Sequence, residues 1–291
     1  MIGDDIEMKI KSPILTVFTV YLLCMMFRFV EYFINRNDKG VFAGAFLHKL
    51  FGIILIIVLL KLFNIRFDKI GFTKKYIFKY AVCGLAFGIS AYIIAYGVEI
   101  VIGISESNFQ SLKFYQGGCL VDKNTSYQNF IMFFGICIIG DIINVVMEEG
   151  MFRGFFERII EKNYSFLLAA FISSLLFGLW HFILPLRNYI DGIDSFESMK
   201  VNMLLFVVAT AVMGFKFVLM TKLTGSLYMS IGDHFANNFI INILHVILNT
   251  GADTWIFIRI LIAQLLSLTF VLIFYIIRNN SPAYRKVKIH F

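Results

Sequence analysis

The chain has 291 residues, of which 59% are hydrophobic and only 15% are charged. Soluble domains are usually about 45–50% apolar, so a water-soluble core cannot hide this much apolar surface and a soluble globular protein is excluded. The net charge is +7, but most Lys and Arg residues fall in segments expected on the cytoplasmic side of a membrane. This bias matches the positive-inside rule, so we expect contact with membrane lipids and no nucleic-acid partner.

In chain order, the apolar stretches predict about eight spanning helices, since a helix needs about 20 apolar residues to cross a bilayer. These stretches lie at roughly 13–35, 41–63, 77–103, 128–147, 165–185, 201–222, 225–248 and 255–278. Strands of a membrane barrel would be about half as long and would alternate in polarity. The first stretch carries Arg28 and Glu31 and lacks a small-residue cleavage site, so we expect a retained helix rather than a signal peptide.

The predicted fold class is therefore all-α, a polytopic membrane helix bundle with both termini in the cytoplasm. The predicted loops are too short to hold a second domain, so residues 1–291 are expected to form a single integral-membrane domain. Its localisation is expected to be a cell membrane, and the Lys-, Ile-, Phe- and Asn-rich composition favours a bacterial plasma membrane. The sequence leaves the oligomeric state open.

Polar side chains within the apolar stretches point to the functional region, because an ionisable group at bilayer depth costs about 2.5–3.5 kcal/mol. Such groups usually face the bundle interior or a wet cavity. They are concentrated in the fourth, fifth and seventh predicted spans, which carry Asp141, Asn144, Glu148, Glu149 and Arg153, then His181, then Asp233, His234, Asn237, Asn238, Asn242 and His245. The motif-bearing core is accordingly predicted at residues 128–248.

Helical spacing suggests how the acidic pair is used. Glu149 and Arg153 are four residues apart, so they share one face of a helix and can form an ion pair. Glu148 is rotated by about 100° from Glu149 and is free to face something else. Arg153 could also reach Glu148, so this division stays open.

Two further pairs share the four-residue spacing. They are Phe177 with His181 and His234 with Asn238. His245 and Asn249 repeat the second pattern near the outer end of the predicted helix. We prefer His234, because it should lie at the depth of Glu148.

The ordered motifs Glu-Glu-x-x-x-Arg, Phe-x-x-x-His and His-x-x-x-Asn, on successive membrane helices, resemble those of the CPBP family. That family includes the type II CAAX prenyl endopeptidases and the bacteriocin-processing or self-immunity proteins called Abi. The resemblance implies an intramembrane endopeptidase whose motif residues line a cavity open to the cytoplasm. It also implies catalytic roles for Glu148, His181, His234 and Asn238, with the first glutamate as the activator of water, while Glu149, Arg153 and Phe177 support the site.

The same roles follow from the chemistry of peptide hydrolysis, which needs an activated water and stabilisation of an oxyanion. Glu148 can act as general base with His181 holding the water, while His234 and Asn238 can aim N–H donors at one point. A catalytic metal is the alternative, because Glu148, His181 and His234 could form a three-ligand zinc site with one open position. We favour a site without a cofactor or metal, because the sequence has no His-Glu-x-x-His helix.

The predicted function is hydrolysis of a peptide or protein substrate near the cytoplasmic membrane face. The family resemblance, together with the composition, favours leader, signal or bacteriocin-type peptides as substrates. One alternative is a non-catalytic immunity or scaffold protein of the same fold. Another is a proton-coupled transporter, since intramembrane Glu and His also build proton relays.

Overall fold

The chain is described by a computed structural model that covers residues 10–36, 46–115 and 130–281. Helices make up nearly all of these residues. The α-helices are α1 (Pro13–Phe29), α2 (Leu47–Leu62), α3 (Ile77–Ser105), α4 (Phe130–Glu148), α5 (Glu157–Glu161), α6 (Phe166–Trp180), α7 (Ile183–Ile190), α8 (Phe196–Thr224), α9 (Tyr228–Ile243) and α10 (Ile256–Asn280). Two strands, β1 (Phe109–Phe114) and β2 (Leu244–Leu248), complete the fold, with π-helical segments at Val30–Asn35 and Glu149–Phe156 and a 3₁₀ turn at Phe67–Ile70.

The chain is a multi-pass helical membrane protein. Five helical segments in the described residues are long and apolar enough to cross a bilayer, and they are Pro13–Asn35, Ile77–Ser105, Phe166–Ile190, Phe196–Thr224 and Ile256–Asn280. A helix suits this solvent because it pairs its backbone groups internally, where lipid offers no hydrogen bonds. Large apolar side chains such as Phe78 and Leu204 remain exposed on the bundle, as expected where lipid covers them.

The three other predicted spans correspond to shorter described helices. Residues 41–45 and 128–129, at the starts of two predicted spans, lie outside the described residues, and α2 and α4 follow them. The prediction of one helix through 225–248 is wrong, because α9 ends at Ile243 and the chain continues as β2. The count of eight spans, the cytoplasmic termini and the single domain over 1–291 stay predictions.

Pairing of two strands explains why the seventh predicted helix stops early. β2 pairs antiparallel with β1, with Leu244 opposite Phe114 and Val246 opposite Leu112. His245 lies between Asp253 Oδ2 and the backbone oxygen of Tyr115, at 3.2 Å from each. The β-branched residues and these side-chain contacts favour the extended form here. His245 and Asn249 therefore do not share a helix face.

Close packing of α3 against α9 positions the second half of the site. A Cβ atom on Gly84 would lie 2.0 Å from the backbone oxygen of Met229, and one on Gly232 would lie 2.1 Å from that of Ala81. The two backbones therefore touch where both helices lack side chains, as is common between membrane helices. This contact holds α9, and with it His234, at a set depth in the bundle.

Candidate active site

The helix that carries the acidic pair changes its winding between the two glutamates. The α-helical part of α4 ends at Glu148, and Glu149 begins the π-helical segment, all eight residues of which are buried. π-Helical turns inside longer helices are rare and often occur at functional sites. Here the turn accompanies an arrangement in which both adjacent carboxylates face the same side chain, His234.

Glu149 is the anchored member of the pair. Its Oε1 lies 3.2 Å from Arg153 Nη1 and 2.9 Å from His234 Nδ1. The ion pair expected from the four-residue spacing therefore forms, with both side chains completely buried. The Arg153 guanidinium also lies 3.9 Å from the centre of the Phe177 ring, so the Phe of the second motif packs on the Arg of the first.

Glu148 has one oxygen held and one oxygen available. Trp180 Nε1 donates a 2.9 Å hydrogen bond to Oε1. Oε2 is buried, has no hydrogen-bond partner among the described residues and lies 3.6 Å from His234 Nε2.

His234 lies between the two carboxylates. Since a carboxylate oxygen only accepts hydrogen bonds, Nδ1 must carry a proton to donate to Glu149. The ring is confined by Phe217, stacked at 4.9 Å, and by the edge of Phe177, at 5.9 Å. Nε2 can therefore be a donor only if the ring is doubly protonated.

His181 follows directly after α6 and is half-buried. Its Nδ1 lies 2.8 Å from the backbone oxygen of Phe177 and must donate to it, which leaves Nε2 as the acceptor. Its ring contacts that of Phe177 edge-on, with the ring centres 4.8 Å apart.

Asn238 lies one turn after His234 on α9 and is also half-buried. Its Oδ1 accepts a 2.9 Å hydrogen bond from Asn237 Nδ2. Within the described ranges its Nδ2 makes no hydrogen bond, so two N–H donors remain available. No contact joins Asn238 directly to Glu148 in this part of the chain, and its role stays a prediction.

The structure thus brings six of the motif residues into one connected group. The group comprises Glu148, Glu149, Arg153, Phe177, His181 and His234. Sequence reasoning missed Trp180, although it stands next to His181, because an indole in an apolar helix gives no signal of its own. It also missed Asn237 as a partner of Asn238, which the run of asparagines could have indicated.

The zinc alternative requires three ligands at one point. Glu148 Oε2 and His234 Nε2 are 3.6 Å apart and could be two of them. However, no group of three His, Cys, Asp or Glu side chains in residues 10–36, 46–115 and 130–281 is arranged to hold a metal ion. Glu148, His181 and His234 are therefore not gathered into a three-ligand zinc site in this structure.

Comparison with known proteins identifies the segment that carries the site. No curated protein matches the chain. Residues 128–240 match the family model described as Type II CAAX prenyl endopeptidase Rce1-like. The resemblance expected from the motifs is thereby confirmed: the part of the chain that is similar to this family holds all of the motif residues.

Proposed function

We propose that this protein is an intramembrane endopeptidase that hydrolyses a peptide bond with water activated by Glu148. One observation carries the proposal: Glu148 Oε2 is buried, has no hydrogen-bond partner among the described residues and is directed toward His234, while Trp180 holds Oε1. A buried acceptor without a partner is costly, so such an oxygen is suited to receive a proton from a substrate water.

In the proposed reaction, Glu148 moves a proton from the attacking water to the leaving nitrogen. Glu148 Oε2 takes a proton as the water oxygen attacks the scissile carbonyl carbon, and the unprotonated Nε2 of His181 accepts a hydrogen bond from the same water. The carbonyl oxygen becomes an oxyanion. When the C–N bond breaks, the proton on Glu148 passes to the leaving nitrogen.

Stabilisation of the oxyanion falls to α9. The Nδ2 group of Asn238 offers N–H donors, and His234 would add an Nε2–H donor when its ring carries both protons, because Nδ1–H is held by Glu149. Donors placed in a water-poor site before the reaction can contribute about 100- to 1000-fold to kcat each. Glu149 and Arg153 support the site by holding the ring of His234.

The substrate is proposed to be a peptide or protein presented near the cytoplasmic face, with leader, signal or bacteriocin-type peptides as candidates. A cavity of about 300 Å³ between α2 and α4 suits an apolar part of it. Its lining is wholly apolar and consists of Ile53, Ile56, Ile57, Phe67, Phe72 and Val146.

The test compares membrane and secreted peptides, by mass spectrometry, from cells that produce the wild type or Glu148→Gln. Glu106→Gln is the matched control, because Glu106 is exposed at the end of α3. Products that disappear only with Glu148→Gln support the protease. Identical peptide profiles at equal membrane levels of protein would contradict it, and a retained biological effect would then favour the scaffold alternative.

A further inference from the structure

A buried lysine begins a chain of side-chain hydrogen bonds that ends at Asn238. Lys216, in α8, is 1% exposed. Its Nζ lies 2.6 Å from Asp233 Oδ2 and donates to Gln264 Oε1 at 2.8 Å and to Ser267 Oγ at 3.2 Å. Two hydrogen bonds and the ion pair with Asp233 therefore fix the position of the ammonium group.

Lys216 also determines which atom of the Gln264 side-chain amide, oxygen or nitrogen, faces it. An ammonium group only donates, so the neighbouring atom of Gln264 must be its oxygen. The Nε2 group of Gln264 then faces Asn237 and donates to Oδ1 at 2.9 Å. Tyr92 donates its hydroxyl proton to the same oxygen. Two donors therefore meet at this atom of Asn237, and only an oxygen can accept from both.

The orientation of Asn237 in turn sets that of Asn238. With its oxygen occupied, Asn237 turns Nδ2 toward Asn238 and donates to Oδ1 at 2.9 Å. The Nδ2 group of Asn238 is consequently turned away from Asn237. An amide has nearly equal shape in its two orientations, so packing alone does not distinguish them, whereas hydrogen-bond partners do.

We propose that Lys216, acting through Gln264 and Asn237, sets the side-chain amide orientation of Asn238 so that its N–H group, and not its oxygen, faces the reacting carbonyl. The catalytic assignment of Asn238 rests on the proposed function. Lys216, Gln264 and Asn237 are positioning residues, because none of them contacts Glu148 or His181 in the described residues. We call this chain of hydrogen bonds from Lys216 to Asn238 the relay. Reversing one amide within it would point the oxygen of Asn238, instead of its N–H group, at the reacting carbonyl and repel the oxyanion.

Gln264→Glu is the sharpest test because it keeps the shape of the side chain and the bond to Lys216. Its second carboxylate oxygen would face Asn237 and require that amide to turn, and Asn238 would turn in response. We expect kcat to fall about 100-fold, the cost of losing one oxyanion donor, with little change in KM. Gln264→Met removes the donor that orients Asn237 but does not reverse the amides. The fall in kcat should therefore be smaller than for Gln264→Glu.

A merely structural role predicts the opposite order, since the isosteric Gln264→Glu would then be milder than Gln264→Met. Gln110→Glu, at an exposed position on β1, adds the same charge away from the relay and should leave kcat unchanged. In an Asn238→Ala background, Gln264→Glu should cause no further loss of kcat. An additional loss of similar size would overturn the proposal.

A second readout does not depend on protease activity. In ¹⁵N-labelled protein, the side-chain amide signal of Asn238 can be assigned from its loss in Asn238→Asp. Gln264→Glu should shift this signal, because the NH₂ group exchanges an unpaired position for a hydrogen bond to Asn237. An unshifted signal would overturn the relay even if peptides are cleaved. A shifted signal together with Glu148-independent peptide profiles would refute the proposed function and leave the relay standing.

Discussion

Trp180 and Glu148 are joined by a 2.9 Å hydrogen bond from the indole Nε1 to Oε1, which ties the end of α6 to the end of α4. One face of the indole carries the guanidinium of Arg28, 4.3 Å from the ring centre. A residue of α1 therefore supports the tryptophan that holds the proposed general base. The effect is to leave Oε2 of Glu148 as the oxygen that faces His234.

Trp180→Phe is expected to lower kcat by about 10- to 100-fold. The substitution keeps an aromatic ring on the Arg28 face but leaves Oε1 of a buried carboxylate without its donor, so Glu148 is less well oriented for proton transfer. The measurement is kcat and KM on a peptide released by the wild type. The chain has one other tryptophan, Trp255, which precedes α10, and Trp255→Phe is the control. An unchanged kcat for Trp180→Phe would contradict the orienting role.

Glu149→Gln is expected to destabilise the fold by about 3 kcal/mol, because it leaves the completely buried Arg153 without its carboxylate. The double variant Glu149→Gln with Arg153→Met removes both charges and should recover part of this loss. Thermal unfolding in detergent measures both effects. If the losses of the two single variants simply added in the double variant, the buried ion pair would not be the cause.

Stability should fall as the pH rises toward 9. Burial raises the pKa of the Glu157 carboxyl, which lies outside the apolar spans, to about 8. A raised folded-state pKa means that the folded protein holds this proton from about pH 4.5 to 8 while the unfolded chain has lost it, so the free energy of unfolding decreases through that window.

Glu157→Gln should flatten this pH dependence, because the amide does not titrate. We expect a loss on the order of 1–3 kcal/mol between pH 5 and pH 9 in the wild type and a smaller loss in the variant. Unfolding temperatures across this range provide the measurement, with the exposed Glu106→Gln as the control. A parallel pH dependence in Glu157→Gln would show that another group is responsible.

Gly232→Ala is expected to reduce both stability and activity. Its Cβ would lie 2.1 Å from the backbone oxygen of Ala81, so α9 must move away from α3 and carry His234 with it. Forced overpacking costs about 1–3 kcal/mol. Gly97→Ala is the matched control on α3, since its Cβ would meet nothing within 4 Å. Equal behaviour of the two variants, in thermal unfolding and in kcat, would argue against the close contact.

Metal chelation should leave kcat unchanged if Glu148 alone activates the water. The check is activity after treatment with 1,10-phenanthroline, followed by addition of zinc. Loss of activity that zinc restores would instead support the alternative in which Glu148, His181 and His234 are ligands. Glu148→Gln cannot distinguish these cases, because both need the carboxylate.

Much of the fold was predictable because the bilayer imposes a simple rule on sequence. Long apolar stretches such as 201–222 must be helical to pair their backbone groups in lipid, and α8 covers that range. The end of α9 was not predictable in the same way. Residues 244–248 are as apolar as the helix before them, and only the partner strand β1, far away in the chain, makes the extended form favourable.

In the proposed site, contacts within one helix were predictable from the sequence, whereas contacts between helices were not. Spacing along a single helix predicted the ion pair of Glu149 with Arg153, because residues four apart meet without help from other elements. The bond of Trp180 to Glu148 and the relay from Lys216 join separate helices. Neither has a local signature, since an indole or a glutamine in an apolar stretch is compatible with many partners.

From the sequence alone come the lipid environment, the helical class and the polar side chains that a bilayer would otherwise exclude, because hydrophobicity and helical period are local properties of a chain. Tertiary structure alone decides which oxygen of Glu148 is free, how His234 is held between two carboxylates, and which way the amide of Asn238 turns. Those outcomes depend on donors and acceptors contributed by other helices, and hydrogen bonds are directional over about 3 Å, so they exist only once the helices have packed.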